Sequence, residues 1–202
     1  NEVDITAIDI NLGINCFSST KNIQKVALHC ENAMLSENCF SKCSSIKSFI
    51  ITAINETDIA NKINLGKQCF FKAENLVDIN FTAKDINFSS NCFSGSKKLR
   101  KVILHGKYIT IGDNCFTECC SLQSFMASKI ENIEEQCFAE KITIKEQCFF
   151  NSVLKEVSIT ANDIDFGSNC FRGSQKLQKV VLFGSNMNIG DNCFAECDLI
   201  KS

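Results

Sequence analysis

Residues 92–114 read CFSGSKKLRKVILHGKYITIGDN, and variants of this 23-residue stretch recur along the whole chain. Its opening dipeptide, Cys-Phe, occurs nine times, and most successive copies are 22 or 23 residues apart. The copies start at Cys16, Cys39, Cys69, Cys92, Cys115, Cys137, Cys148, Cys170 and Cys193. Such a period predicts a solenoid, in which each repeat forms one coil and buries its apolar side only when neighbouring coils stack on it.

Apolar residues alternate twice within the quoted repeat, first at Val102 and Leu104 and then at Ile109 and Ile111. Alternation with a period of two predicts two short strands whose named side chains point inward, while Ile103 and Thr110 point outward. Because the other repeats follow the same plan, we expect a mainly-β or α/β-type solenoid of about 8–9 coils, with short parallel strands and little helix.

A longer period lies inside the short one. The segments that begin at Val3, Asp78 and Glu156 are near copies, so three coils form a super-unit, with boundaries at about 1–76, 77–154 and 155–202. Each of the first two super-units has one irregular coil, over residues 53–68 and 129–147. We place Cys137-Phe138 in a bulge or short extra turn of the second one.

An amide side chain stands immediately before every Cys-Phe. Since amides can hydrogen-bond to turn backbone or to each other, this row predicts a structural ladder that ties the coils together. The amides are Asn15, Asn38, Gln68, Asn91, Asn114, Gln136, Gln147, Asn169 and Asn192.

Two segments, IGDNCFTECCSL (111–122) and NIGDNCFAEC (188–197), resemble the BspA-type leucine-rich repeat, whose units read roughly I-G-x-x-A-F-x-x-C-x-x-L. The resemblance covers essentially the whole chain and implies one right-handed leucine-rich-repeat superhelix over 1–202, which we expect to be a fragment of a longer repeat protein. The chain departs from the family in having Cys in place of Ala and in lacking proline. Known members are mostly surface proteins of bacteria and protozoa implicated in adhesion, so the resemblance implies a surface or secreted location, although a cytoplasmic one stays open.

Several function classes are disfavoured. A net charge of −2 offers no basic stripe for nucleic acid, and no apolar run is long enough to predict membrane insertion. The Cys-Phe cysteines are best explained as small core residues, and the C-x₃-C pairs Cys39/Cys43, Cys115/Cys119 and Cys193/Cys197 match a zinc site poorly. No catalytic constellation is recognisable, so we expect no enzyme activity, metal or cofactor.

The outward positions of the first strands carry the functional prediction. Apolar side chains on an exposed sheet favour a partner, whereas cross-strand ion pairs and lysine stems that cover the apolar residues would explain the same pattern without one. The candidate partner-binding residues are Lys25, His29, Ile50, Lys101, Ile103, His105, Met126, Lys179, Val181 and Phe183.

We therefore expect a non-enzymatic scaffold for cell-surface adhesion, which binds a protein or glycan through this outward face. The alternative is a structural protein that binds copies of itself and forms filaments or a wall by end-to-end stacking. Asn55, in the sequon Asn55-Glu56-Thr57, is the candidate glycosylation site.

Overall fold

A computed structural model of the protein describes residues 1–55, 58–130 and 139–200. Over these residues the chain winds into eight coils of short strands and turns. The strands are β1 (Glu2–Thr6), β2 (Asp9–Leu12), β3 (Lys25–His29), β4 (Asn32–Leu35), β5 (Ser48–Thr52), β6 (Ala60–Leu65), β7 (Asp78–Phe88), β8 (Lys101–His105), β9 (Tyr108–Ile111), β10 (Ser124–Ser128), β11 (Ala139–Ile144), β12 (Glu156–Phe166), β13 (Lys179–Phe183) and β14 (Asn186–Ile189).

Two faces of the solenoid are parallel sheets. The A face consists of β1, β3, β5, residues 78–82 of β7, β8, β10, residues 156–160 of β12, and β13. The B face consists of β2, β4, β6, the remainder of β7, β9, β11, the remainder of β12, and β14. Every strand pair is parallel and keeps the repeat in register, so that Ile103, for example, lies beside Asn80 on one side and Met126 on the other.

The third side of each coil is the turn that contains Cys-Phe. Successive turns are joined by backbone hydrogen bonds: the N–H of Phe17 donates to the carbonyl of Cys39 at 2.8 Å, and the N–H of Phe171 donates to that of Cys193 at 2.8 Å. The turns therefore form a third ladder, which closes the core on the side away from the two sheets.

The core is organised by one phenylalanine from each turn. Neighbouring rings of this stack lie parallel, with centroids 5.0–5.4 Å apart and interplanar angles of 8° or less. The stacked rings belong to Phe17, Phe40, Phe70, Phe93, Phe116, Phe149, Phe171 and Phe194. Phenylalanines from the strands, such as Phe49 and Phe125, meet the stack edge-on or tilted.

The amide before each described Cys-Phe has a different role from the one that the sequence predicts. All eight described amides have positive φ angles, between 51° and 59°. Asparagine tolerates this left-handed conformation better than most residues, and the turn requires it. Within 1–55, 58–130 and 139–200, no side chain of this row hydrogen-bonds to another member of the row or to turn backbone, so the prediction of an amide ladder is wrong for that part of the chain.

The predicted solenoid is confirmed, with both strands of the repeat 92–114 where the alternation places them. The described residues contain strands and turns but no helix, so the fold is mainly β and not of α/β type, and the coils number eight in that part of the chain. Coil 3 carries its extra residues between β5 and β6, at 53–59. The predicted bulge at Cys137-Phe138 lies outside the described residues.

Candidate binding surface

The outward side chains of the A face form three rows that run across the coils. The first, here the charge row, alternates acidic, basic and neutral residues: Glu2, Lys25, Ser48, Asp78, Lys101, Ser124, Glu156 and Lys179. The second, the apolar row, contains Asp4, Ala27, Ile50, Asn80, Ile103, Met126, Ser158 and Val181. The third, the hydroxyl row, contains Thr6, His29, Thr52, Thr82, His105, Ser128, Thr160 and Phe183.

One basic residue of the charge row, Lys25, forms an ion pair with an acidic residue of the neighbouring strand. The Nζ of Lys25 donates to Oε1 of Glu2 at 2.6 Å, and this hydrogen bond and charge lower the pKa of Glu2 while raising that of Lys25. Lys101 and Lys179 make no ion pair with any residue in the described part of the chain. Their ammonium groups can therefore reach a partner without first breaking a salt bridge.

The apolar row is apolar in two of every three coils, because Asp4, Asn80 and Ser158 interrupt it. Its most central pair is Ile103 on β8 and Met126 on β10, which are register partners and half-buried. Ile50 is 38% exposed on β5. Val181 and Phe183 are exposed on β13, which is an edge strand because β12 is its one strand partner among the described residues.

The two histidines occupy equivalent positions in the hydroxyl row. The Nδ1 of His29 lies 2.7 Å from Oγ1 of Thr52, and that of His105 lies 3.0 Å from Oγ of Ser128. The Nδ1 of His105 is also 3.2 Å from the carbonyl oxygen of Lys129. Each ring is therefore held through Nδ1 against the hydroxyl group of the next coil.

The A face is not one continuous sheet. Strands β1, β3 and β5 form a separate three-stranded sheet, and β7 pairs onward with β8 but not back with β5. A cleft of about 1050 Å³ lies at the junction of β5 and β7, and it is bordered by Ile50, Ile54, Asp58, Asp78, Asn80 and Thr82. On the B face and in the turns, the same two coils remain joined, with Lys62 beside Asp85 and Phe70 stacked on Phe93 at 5.2 Å.

The sequence missed this cleft. Asp78, Asn80 and Thr82 lie on its border, yet they follow the same repeat pattern as residues of other coils. The extra residues 53–59 do not predict the cleft. The sixth coil, which begins with β10, also has extra residues after its first strand, yet β10 pairs with β12. Asn55, the sequon asparagine, is exposed at this cleft, and its amide donates to Oδ2 of Asp58 at 2.8 Å.

Most of the described cysteines line the core. All thirteen described cysteines are free, and most of those in the Cys-Phe row are fully buried. Burial raises the pKa of the Cys92, Cys148 and Cys170 thiols well above its ordinary value. Three further thiols donate to the carbonyl of a Phe in the preceding coil: Cys43 to Phe17 at 2.8 Å, Cys119 to Phe93 at 3.2 Å and Cys197 to Phe171 at 3.2 Å.

Serine does the same at the equivalent positions, since Ser96 donates to the carbonyl of Phe70 at 3.1 Å and Ser174 to that of Phe149 at 3.2 Å. These thiols therefore act as hydrogen-bond donors that hold the coils together. In the described ranges, no three His, Cys, Asp or Glu side chains are grouped so as to hold a metal ion. No helix in those ranges is long and apolar enough to cross a membrane.

Parallel coils, most of them 22 or 23 residues long, a stacked aromatic core and an outward strand face define a solenoid of the leucine-rich-repeat class. The family model of the BspA type leucine rich repeat region matches in six copies, over residues 1–62, 51–143 and 139–202. The chain therefore belongs to the BspA type leucine-rich-repeat family, as the sequence resemblance predicts.

Two solved structures are similar to this chain. A leucine rich cell surface protein from Faecalibacterium prausnitzii A2-165 is 18% identical with a TM-score of 0.57, and the match covers 90% of this chain and 43% of that one. A leucine-rich repeat protein from Bacteroides ovatus ATCC 8483 is 17% identical with a TM-score of 0.35, over 98% of this chain and 65% of that one. The chain thus spans less than two thirds of either protein's length. A comparison with curated proteins finds no match.

Proposed function

We propose that this chain is a non-enzymatic scaffold, displayed on a cell surface or secreted, that binds a protein or glycan partner through the A face. Membership of the BspA type family supports the scaffold, and the description of the Faecalibacterium protein as a cell surface protein supports the location. A rigid solenoid suits this function because its sheet holds outward side chains at fixed spacing without loops that must first be ordered.

The observation that carries the proposal is a patch on β8 and β10, formed by Lys101, Ile103, His105 and Met126. Ile103 and Met126 are adjacent register partners and leave apolar surface exposed. Lys101 has no ion pair in the described part of the chain, and His105, at the other end of β8, holds its Nδ1 3.0 Å from the hydroxyl of Ser128. An apolar centre with polar groups at its border is the common composition of a protein-binding surface.

Substitution within the patch tests this proposal. A ligand is first identified on arrays of extracellular proteins and of glycans. We then expect the double variant Ile103→Asp, Met126→Lys to weaken binding of that ligand at least tenfold, because each change places a charge at the apolar centre of the patch. The control is Thr110→Asp, which is half-buried on the B face of the same coil as Ile103. Equal binding by all variants, with unchanged circular dichroism spectra, would contradict a role for the A face.

A structural polymer is the second candidate function. Neighbouring coils can pair opposite charges, as the 2.6 Å pair of Lys25 and Glu2 one coil apart illustrates, and the 76–78-residue super-unit repeats the same order of coils. Light scattering and electron microscopy over a range of concentrations test it. Filaments would support this function, and a strictly monomeric particle at the highest soluble concentration would contradict it.

A further inference from the structure

We propose that the turn side of the solenoid binds a neutral, extended oligosaccharide, with one sugar unit beside each coil. In coils 1–3, three carboxamides and one phenylalanine ring line a groove of about 230 Å³: Asn15, Asn38, Gln68 and Phe71. Coils 4–6 repeat the same set of residues: Asn91, Asn114, Gln147 and Phe150. The inference goes beyond the proposed function, because none of these residues belongs to the A face.

The carboxamides of both sets are available to a ligand. Their backbones form the left-handed turns, but most of the side chains before Cys-Phe have no hydrogen-bond partner in the described part of the chain. The exceptions are long contacts: Asn38 donates to Oε1 of Glu37 at 3.5 Å, and Asn169 accepts from Arg172 at 3.4 Å. The amide groups therefore keep their capacity both to donate and to accept.

Backbone conformation explains asparagine at these positions but not glutamine. A positive φ favours Gly and Asn, and Gln has no such advantage, yet Gln68 and Gln147 have φ angles of 55° and 51°. Every Cys-Phe of the chain is preceded by Asn or Gln, and none by Gly. The nine residues share the carboxamide, so its recurrence indicates a role for the side chain itself.

An outward phenylalanine accompanies the glutamine of each set, three residues after it. Phe71 is half-buried and Phe150 is 36% exposed, whereas the equivalent turn positions of the other coils have Ser, Thr, Arg or Ala. The negative face of an aromatic ring attracts the C–H groups of a sugar, and carboxamides hydrogen-bond to its hydroxyls in both directions. The ring and the amides together are the chemistry of a carbohydrate site.

Charge and backbone pairing narrow the choice of ligand. Lys42 borders the first groove, but the equivalent residue of the second set is Glu118, so a charged ligand would not suit both. A peptide strand fits poorly as well, because backbone N–H groups of the turns already donate to the next coil, as that of Asn15 does to the carbonyl of Glu37 at 3.0 Å. A neutral glycan needs neither a fixed charge nor a free backbone edge.

The spacing of the turns suits an extended sugar chain. Stacked phenylalanines hold successive turns 5.0–5.4 Å apart, which is close to the length of one unit of a β-1,4-linked glycan. Three coils therefore accommodate three sugar units. The turn ladder continues from coil 3 to coil 4, where the N–H of Phe70 donates to the carbonyl of Cys92 at 2.8 Å, so six units span both sets.

Oligosaccharide length tests the site. The probes are β-1,4-linked trimers and hexamers of N-acetylglucosamine, of glucose and of mannose, titrated into the protein by calorimetry. We expect at least one sugar type to bind as two trimers or one hexamer per chain, with the hexamer at least tenfold tighter because it occupies both sets at once. No binding by any probe at its solubility limit, or equal affinity of trimer and hexamer, would overturn the proposal.

Glycine variants separate a ligand role of the amides from their conformational role. The double variant Asn114→Gly, Gln147→Gly keeps the left-handed turns but removes two carboxamides, so the urea midpoint should not fall while the number of bound trimers drops from two to one. The matched control is Asn192→Gly, in a coil without an outward ring, and it should still bind two trimers. Two trimers on the double variant, or a lost trimer in the control, would overturn the proposal.

Two further variants locate the bound sugar. Phe150→Ala should also reduce the bound trimers from two to one, and retention of both would overturn the proposal. The A-face variant Ile103→Asp, Met126→Lys should bind both trimers unchanged. Loss of the trimers in that variant would place the sugar on the A face and overturn this inference alone, so its failure is distinguishable from failure of the proposed function.

Discussion

The turns of this solenoid contain two residues in the left-handed conformation per coil. One is the amide before Cys-Phe, and the other stands four residues later. The second row contains Gly95 and Gly173, with φ angles of 74° and 71°, but also Glu118 and Lys72, with φ angles of 59° and 56°. A side chain in this region costs about 1–2 kcal/mol, so the non-glycine members of the second row weaken the fold locally.

Glycine at one of these positions should therefore stabilise the chain. We expect Glu118→Gly to raise the free energy of unfolding by up to about 1 kcal/mol, because relief of the strain exceeds the extra entropy of glycine in the unfolded state. Glu118→Ala removes the same exposed side chain but keeps the strain, and should give no gain. Urea unfolding of the three proteins measures the difference; equal midpoints for Gly and Ala would contradict the explanation.

At the scale of the elements, the phenylalanine stack couples each coil to its neighbours. Phe116 lies 5.4 Å from Phe93 and 5.1 Å from Phe149, centroid to centroid, and it is 1% exposed. Each ring inside the stack buries its two faces against the coils before and after it. The stack therefore stabilises an interface between coils, whereas a globular core would share the contact among many elements.

Removal of one ring should be costly. We expect Phe116→Ala to lower the free energy of unfolding by about 3–5 kcal/mol, since it leaves a cavity between two stacked rings that the paired strands keep apart. Phe150→Ala is the matched control, because that ring is 36% exposed beside the stacked Phe149, and it should cost less than about 1 kcal/mol. Chemical denaturation provides the comparison, and similar losses for the two variants would argue against the stack as a main source of stability.

At the scale of the whole molecule, the buried thiols make stability depend on pH. Burial raises the pKa of Cys30 to about 11 and those of Cys92, Cys148 and Cys170 well above the ordinary value of about 9. A folded thiol with a raised pKa keeps its proton, whereas the unfolded thiol loses it above pH ~9. The stabilising contribution is therefore complete below pH ~9 and declines as the pH rises above that value.

Alkaline conditions should unfold the chain cooperatively. Between about pH 9 and 11, we expect each such thiol to lower the free energy of unfolding by ~1.4 kcal/mol per pH unit. Urea titrations under reducing conditions at pH 8 to 11 measure this slope. A variant with Cys92→Ala, Cys148→Ala and Cys170→Ala, the residue typical of the family at these positions, should show a clearly smaller slope; an unchanged slope would assign the alkaline loss to other groups.

Much of the fold could be predicted from the pattern of residues alone. The period of Cys-Phe indicates the coils, and the alternation in residues 92–114 indicates which side chains face the core, because a strand with one buried face must alternate. The outward positions of Ile103 and Met126 follow from the same alternation. The amide row was recognised as structural, but its conformational reason required the φ angles, since asparagine suits both a hydrogen-bonded ladder and a left-handed turn.

The cleft could not be predicted in this way. Residues 48–52 and 78–82 follow the same repeat as residues 124–128 and 156–160, yet the first pair is open and the second is paired. A repeat pattern specifies which face a residue occupies, whereas closure of a sheet depends on the distance between two backbones across a packed core. That distance is a property of the stacked coils together, so the break in the A face appears only in the tertiary structure.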